Sequence, residues 1–237
     1  MQNNVLSSAL LGLFIAVGLV LGGRYINSAA VTWQAANRSV TVKGLAERQV
    51  PANLALWPLH FSVSGDSLNV VQQQIDTQAS TISGFLRNAG FKKSEITLSS
   101  PQVTDEYANR PADQRASIAH YSAEATVLVR TPNIKGVKQA MTRLGNLISQ
   151  GVLLSPNYNY RTEFLYTDLD QIKPKMIAAA TADARAAAKQ FAEDSGSEVG
   201  QIRSASQGYF SIEDLDSYTP EIKKIRVVTT IDYALDD

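Results

Sequence analysis

His60 and His120 are the only histidines in the 237-residue chain, so imidazole chemistry near neutral pH has two places to occur. His60 reads as a strand residue beside Pro58, and His120 as the residue that leads from a polar loop into a strand. Neither has a Cys, Asp or Glu at metal-ligand spacing, and both read as structural or exposed positions. The acidic cluster Glu213, Asp214 and Asp216, in SIEDLDS, is the next candidate, either as paired carboxylates for acid–base work or as a calcium loop. The calcium reading fails on spacing, because neither the turn glycine nor a bidentate Glu follows at the required offset. A solvated loop between strands remains as the simpler reading. The chain has no Cys, which removes thiolate catalysis, disulfides and zinc–thiolate sites. GxSxG, GxGxxG, Walker A and HExxH patterns are absent as well. These residues therefore offer no catalytic residue, no metal site and no cofactor, and the chain does not read as an enzyme.

One further feature is a stripe of aromatics. Tyr158, Tyr160, Phe164 and Tyr166 share one parity within an expected strand from Leu154 to Tyr166, opposite Asn157, Asn159, Arg161 and Glu163. Such a stripe either packs as a core face, with hydroxyls reaching the sheet margin, or forms a binding surface for a flat ligand or partner.

The elements that must position these groups follow from periodicity. Val40 and Val42 alternate with Thr41 and Lys43 in a short strand. Leu54 to Val63 reads as a strand whose apolar parity switches at Trp57-Pro58, which predicts a bulge. Asp66 or Ser67 caps a helix carrying Leu68, Val71, Ile75, Ala79, Ile82 and Leu86, and Gly90 ends it. Ile96 to Tyr107 is a strand broken near Pro101, and Ala108 to Arg115 is an exposed loop. Tyr121 to Arg130 alternates cleanly. A second helix, with Ile134, Val137, Met141, Leu144 and Ile148 on one face, runs to Gly151.

The stretch KPKMIAAATADARAAAKQFAEDSG, Lys173 to Gly196, is an alanine-rich helix. Pro174 is placed in its first turn, its packing face is Ile177, Ala180, Ala184, Ala187, Ala188 and Phe191, and Gly196 stops it. So much alanine implies close approach of a neighbour, expected to be the chain's own sheet. Strands follow within Ile202 to Ile212 and from Ile225 to Leu235. The succession predicts an α+β fold: a largely antiparallel sheet with helices on one face, two strand–helix–strand units, the long helix and C-terminal strands.

Ahead of this domain, Val5 to Gly23 is an uncharged apolar run closed by Arg24. Roughly 20 such residues span a bilayer core. MQNN lacks the basic residues of a secretory signal, although Ser28-Ala29-Ala30 offers a cleavage site. The organisation read here is an N-terminal anchor or signal segment over 1–24, a linker over 25–38 and a folded domain over 39–237. Arg24, Arg38 and Lys43 would keep the C-terminal side in the cytoplasm by charge alone. Lys plus Arg and Asp plus Glu are equal at 22 each, with no basic run, so nucleic acid is not an expected partner.

Several stretches together carry a resemblance. VTVKGLAERQVPANLALWPLHFSVSG, then LRNAGF before EITLSSPQVTDEY, then YSAEATVLV, then the alanine helix with DSGSEVGQI, resemble SIMPL-domain proteins in order and spacing from Ser39 to Leu235. The chain departs from them at Ala52-Asn53, where an acidic residue is usual. The resemblance implies a bacterial envelope protein that is membrane-attached or exported, with the domain in the periplasm, and that tends to self-associate. It supplies no catalytic residues. Three functions stay open. The first is a homo-oligomeric scaffold or interaction protein, held in the inner membrane through residues 5–23 and supporting the envelope under stress. The others are a periplasmic binding module using the aromatic strand face, and an enzyme of unrecognised type.

Overall fold

The computed structural model describes residues 18–20, 23–24, 38–108, 110–155 and 160–236. Most of the expected anchor and linker, and Tyr158 of the aromatic stripe, lie outside the described residues. Among the described residues no helix is long and apolar enough to cross a membrane. The described residues cluster into two compact units, the first formed by those up to Glu47 with those in 173–210 and from Arg226 onward, and the second by those in 48–172 and 211–225.

The architecture is α+β, with antiparallel pairing in both sheets. In chain order the strands are β1 (Ser39–Pro51), β2 (Leu54–Gly65), β3 (Ile96–Leu98), β4 (Gln102–Asp105), β5 (Tyr121–Thr131), β6 (Glu163–Leu165), β7 (Glu198–Gln207), β8 (Ser211–Asp214) and β9 (Ile222–Asp236). The helices are α1 (Leu68–Asn88), α2 (Ile134–Met141), α3 (Gly145–Ser149) and α4 (Leu169–Ser195). One sheet has the order β1-β9-β7, with β8 also on β9; the other has the order β3-β5-β2-β6, with β4 also on β5.

In the second unit, β2–α1–β3 and β5–α2–α3–β6 give the two strand–helix–strand units. β5 buries Ala123, Ala125, Val127 and Val129, and β2 buries Ala55, Trp57, Leu59, Phe61 and Val63. Val71, Ile75, Ile82 and Leu86 of α1 close over them in one core cluster. Ser67 caps α1 as the sequence indicates, its side chain accepting from the Val70 amide, and Gly90 takes φ +95°.

The expected bulge in β2 is absent. Its register against β5 runs without a shift from Ala55↔Thr131 to Gly65↔Tyr121, Pro58 included. Ala55 and Trp57 continue the buried parity, while Leu54 and Leu56 sit half-buried on the other face, so no switch is needed. Even-numbered residues turn their backbone polar groups away from β5: the His60 carbonyl accepts from the Ser155 amide at 3.0 Å, and Leu56 pairs with Glu163 of β6. Pro58 falls between these two partners, so its missing N–H costs no bond to β5. The second helix is also interrupted. It forms α2 and α3, with Leu147 buried and Ile148 exposed, whereas the expected face placed Ile148 inward.

The first unit answers the question the alanines pose. α4 begins at Leu169, so Pro174 lies inside the helix rather than in its first turn. Its buried row is Ile172, Met176, Ala180, Ala184, Ala188 and Ala192, stepping by four; Phe191, expected inward, is 56% exposed. The correction is physical. With alanine on most sides of the helix, composition does not distinguish the packing stripe, and the neighbour chooses it. That neighbour is the chain's own sheet. A Cβ on Gly44 of β1 would collide with the Ala180 carbonyl oxygen and the Ala184 amide and lie 2.8 Å from the Ala184 Cβ. Ala184 and Ala188 pack with Val40 of β1 and with Ile231 and Tyr233 of β9. Gly196 ends α4 at φ +68°.

Candidate functional site

Among the described residues the aromatic stripe does not form one strand face, since β6 spans only Glu163–Leu165. Leu154 bridges Phe61, and β6 then pairs Glu163–Leu165 with Leu56–Leu54 of the same strand. Between these two contacts the register changes by four residues. Phe164 is 5% exposed and belongs to the core of the second unit. Tyr166 is half-buried just past β6. Tyr160 stacks on His60, with ring centroids 4.0 Å apart and planes within 11°.

His60 carries the best-organised polar group in the second unit. Its Nδ1 lies 3.0 Å from the Thr126 hydroxyl and its Nε2 3.4 Å from the Glu124 carboxylate. Hydroxyl, imidazole and carboxylate in a row make the arrangement that activates a nucleophile in hydrolases. Here the imidazole is 5% exposed beneath Tyr160 and both ring nitrogens are engaged, so the array acts as a staple between β2, β5 and the Tyr160 segment. His120 is built similarly. Its Nε2 is 3.3 Å from Asp105, and its ring is sandwiched between Tyr107 at 4.2 Å and Tyr121 at 4.0 Å, with the Arg115 guanidinium over Tyr107. Glu124 and Asp105 reach the histidines only through strand pairing. No spacing in the sequence announces them.

The acidic cluster separates into structural roles. Asp214 pairs with Lys223 and Glu213 is exposed. Asp216 organises the turn before β9. Its carboxylate accepts from the Thr219 hydroxyl at 2.8 Å and from the Tyr218 and Thr219 amides at 2.7 Å, and these donors hold its pKa below the ordinary value. Among the described residues no three His, Cys, Asp or Glu side chains gather in a metal-binding group.

A sheet edge in the first unit has unsatisfied backbone capacity. The β1-β9-β7 order, with β8 also on β9, leaves β1, β7 and the short β8 outermost. Beside β1 runs α4, whose Asp183 accepts the Leu45 amide at 2.8 Å. β7 has no such cover among the described residues, and from Gln201 to Gln207 it is exposed throughout. Its first half is irregular, with register shifts around Ile202, and its second half is regular, pairing Ser204–Gln207 with Asp232–Thr229. The next residue shows which amides face outward: the Gly208 N–H donates to the Val228 carbonyl at 2.8 Å. By alternation Ser204 and Ser206 also bond toward β9, and Ala205 and Gln207 present their N–H and C=O groups to the open side. Only Arg203 carries charge between Gly200 and Gln207, and it pairs with Asp232 of β9 at 3.9 Å. Charge, one of the usual protections of a strand edge, is therefore sparse along this one.

The SIMPL family model, described as a protein of unknown function (DUF541), matches residues 40–226. The chain belongs to the SIMPL family. A comparison with curated proteins returns no match. The matched span covers segments of both compact units, from Val40 in β1 to Arg226 in β9. Membership accounts for the resemblance seen in VTVKGLAERQVPANLALWPLHFSVSG and the later segments, and assigns no reaction.

Proposed function

We propose that this SIMPL chain is an interaction protein of the cell envelope, held in the inner membrane through residues 5–23 with its folded part in the periplasm, and that it self-associates by pairing β7 with β7 of a second copy. The observation that carries the reading is the regular, uncovered half of β7, where Ala205 and Gln207 offer outward backbone donors and acceptors. Backbone pairing of this kind needs no pocket and is satisfied by an antiparallel copy of the same strand, which closes as a two-fold dimer. The uncharged run from Val5 to Gly23 supports the membrane attachment. Ligand binding on the aromatic face is the weaker reading, because Phe164 is committed to the core and Tyr160 to His60.

The test is the mass of the full chain in detergent by light scattering, compared with Ala205→Pro. Proline there removes an outward amide without removing a bond to β9. Loss of the oligomer with an unchanged melting temperature supports the reading. A wild-type monomer at high concentration, or an oligomer indifferent to the proline, refutes it.

A further inference from the structure

We propose that a cleft in the second unit, between the end of β1 and the start of α2, binds a small amphipathic carboxylate. The cleft encloses about 530 Å³, within the range of small-molecule sites, and is separate from the edge of β7. Pro51, Pro132, Ile134 and Ile222 supply the apolar part of its lining. Three hydrogen bonds donated by backbone amides fix this lining. The Ala52 amide donates to the Glu221 carbonyl at 2.8 Å, the Ile134 amide donates to the Pro132 carbonyl at 3.0 Å, and the Gly136 amide donates to the Asn133 side chain at 2.9 Å. Two prolines and these three bonds hold the lining in place without a ligand, so little ordering entropy opposes binding.

Charge selects the occupant. Lys138 and Glu221 both line the cleft and form an ion pair with each other, so together they contribute no net charge. Lys135 also lines it, is exposed, and has no partner among the described residues. The cleft therefore presents apolar walls and one uncommitted ammonium. An aliphatic body with a single carboxylate satisfies both features. An aliphatic ammonium ion would bring a second positive charge, and a neutral alcohol would leave the ammonium unpaired.

The probe is hexanoate, titrated calorimetrically into the full chain in lipid nanodiscs with empty nanodiscs subtracted. Butanoate and hexylammonium serve as comparators. Each buried methylene is worth about fourfold in affinity, so hexanoate should bind roughly tenfold or more tighter than butanoate. Lys135→Glu, at an exposed site that leaves the melting temperature unchanged, should weaken hexanoate about tenfold or more. Hexylammonium should neither bind nor compete. The proposal is overturned by the absence of saturable hexanoate binding, by equal affinity for butanoate, by equal binding of hexylammonium, or by a Lys135→Glu chain that binds as the wild type does. None of these outcomes depends on whether the chain self-associates.

Discussion

Gly44→Ala should lower stability although alanine is the better strand residue. Elsewhere in a strand the added methyl would help by about 0.5 to 1 kcal/mol, because glycine loses more backbone entropy on folding. At this site the methyl has no room. It would overlap the Ala180 carbonyl oxygen and the Ala184 amide nitrogen and stand 2.8 Å from the Ala184 Cβ. Two of the three atoms struck are backbone of a 27-residue helix, so no rotamer change relieves the clash and α4 must move away from β1. Overpacking of this kind costs about 1 to 3 kcal/mol, and the upper end applies where the obstruction is rigid. The net expectation is a loss of about 2 to 2.5 kcal/mol, or roughly 4 to 10 °C in Tm for a chain of this size. Circular dichroism melts of the segment from Ala36 onward measure it. The Ala184→Gly partner sharpens the test. It removes only the 2.8 Å contact, leaves both backbone clashes and itself costs about 1 kcal/mol in helix propensity, so the double variant should recover at most a part of the Gly44→Ala loss. An unchanged or raised Tm for Gly44→Ala, or full rescue by Ala184→Gly, would refute the backbone-contact argument.

Other consequences are as specific. Ala184→Leu should destabilise the same segment by about 1 to 3 kcal/mol by forcing α4 off β1, and a change confined to particle size would contradict this. Phe164→Ala should cost about 3 to 5 kcal/mol in denaturant titrations if Phe164 is core, whereas a ligand-facing residue would tolerate it. Thr131 is fully buried, donates to Glu95 at 2.7 Å and accepts from the Asn133 amide at 3.1 Å, so Thr131→Val should lose about 1 to 3 kcal/mol with an unchanged denaturant slope. The Glu221 carboxyl is held below its ordinary 4.5 chiefly by its hydrogen bond from Lys138. A depressed carboxylate adds stability that is present above the ordinary value and lost as pH falls through the folded one, so stability should decline below about pH 4.5 and less steeply in Lys138→Met.

Legibility in the sequence varied with the source of each element's information. β5, β9 and α1 were plain, because their buried residues alternate or step by three and four and their ends carry Ser67 and Gly90. β1 was visible only to Lys43, yet it runs to Pro51. Its pattern is interrupted at Gly44, a residue buried chiefly because the backbone of a helix covers it. The residue pattern of α4 points its packing stripe toward Phe191 rather than toward the buried row, since an alanine-rich helix has little contrast between its sides. The single strand expected from Leu154 to Tyr166 failed because its two ends pair with β2 in different registers, and register is a property of the partner. The histidine staples were hidden for the same reason: Glu124 and Thr126 lie more than sixty residues from His60 and meet it only when β2 pairs with β5. The open edge of β7 is likewise a property of strand order, which the residues of β7 alone do not contain.

Because the chain has no Cys, single engineered cysteines report one contact without competition, and they test the β7 pairing most directly. Each of residues 203–207 is replaced by Cys in turn in the membrane-embedded full chain, and disulfide-linked dimer is quantified after mild oxidation. A two-fold antiparallel pairing brings one position opposite its own copy, with Cβ atoms about 4.5 to 5.5 Å apart, and separates the others progressively. The account predicts a single maximum within β7 that disappears when Ala205→Pro, or Gln207→Pro if the maximum is at 205, is added. Uniformly low or position-independent cross-linking would contradict it.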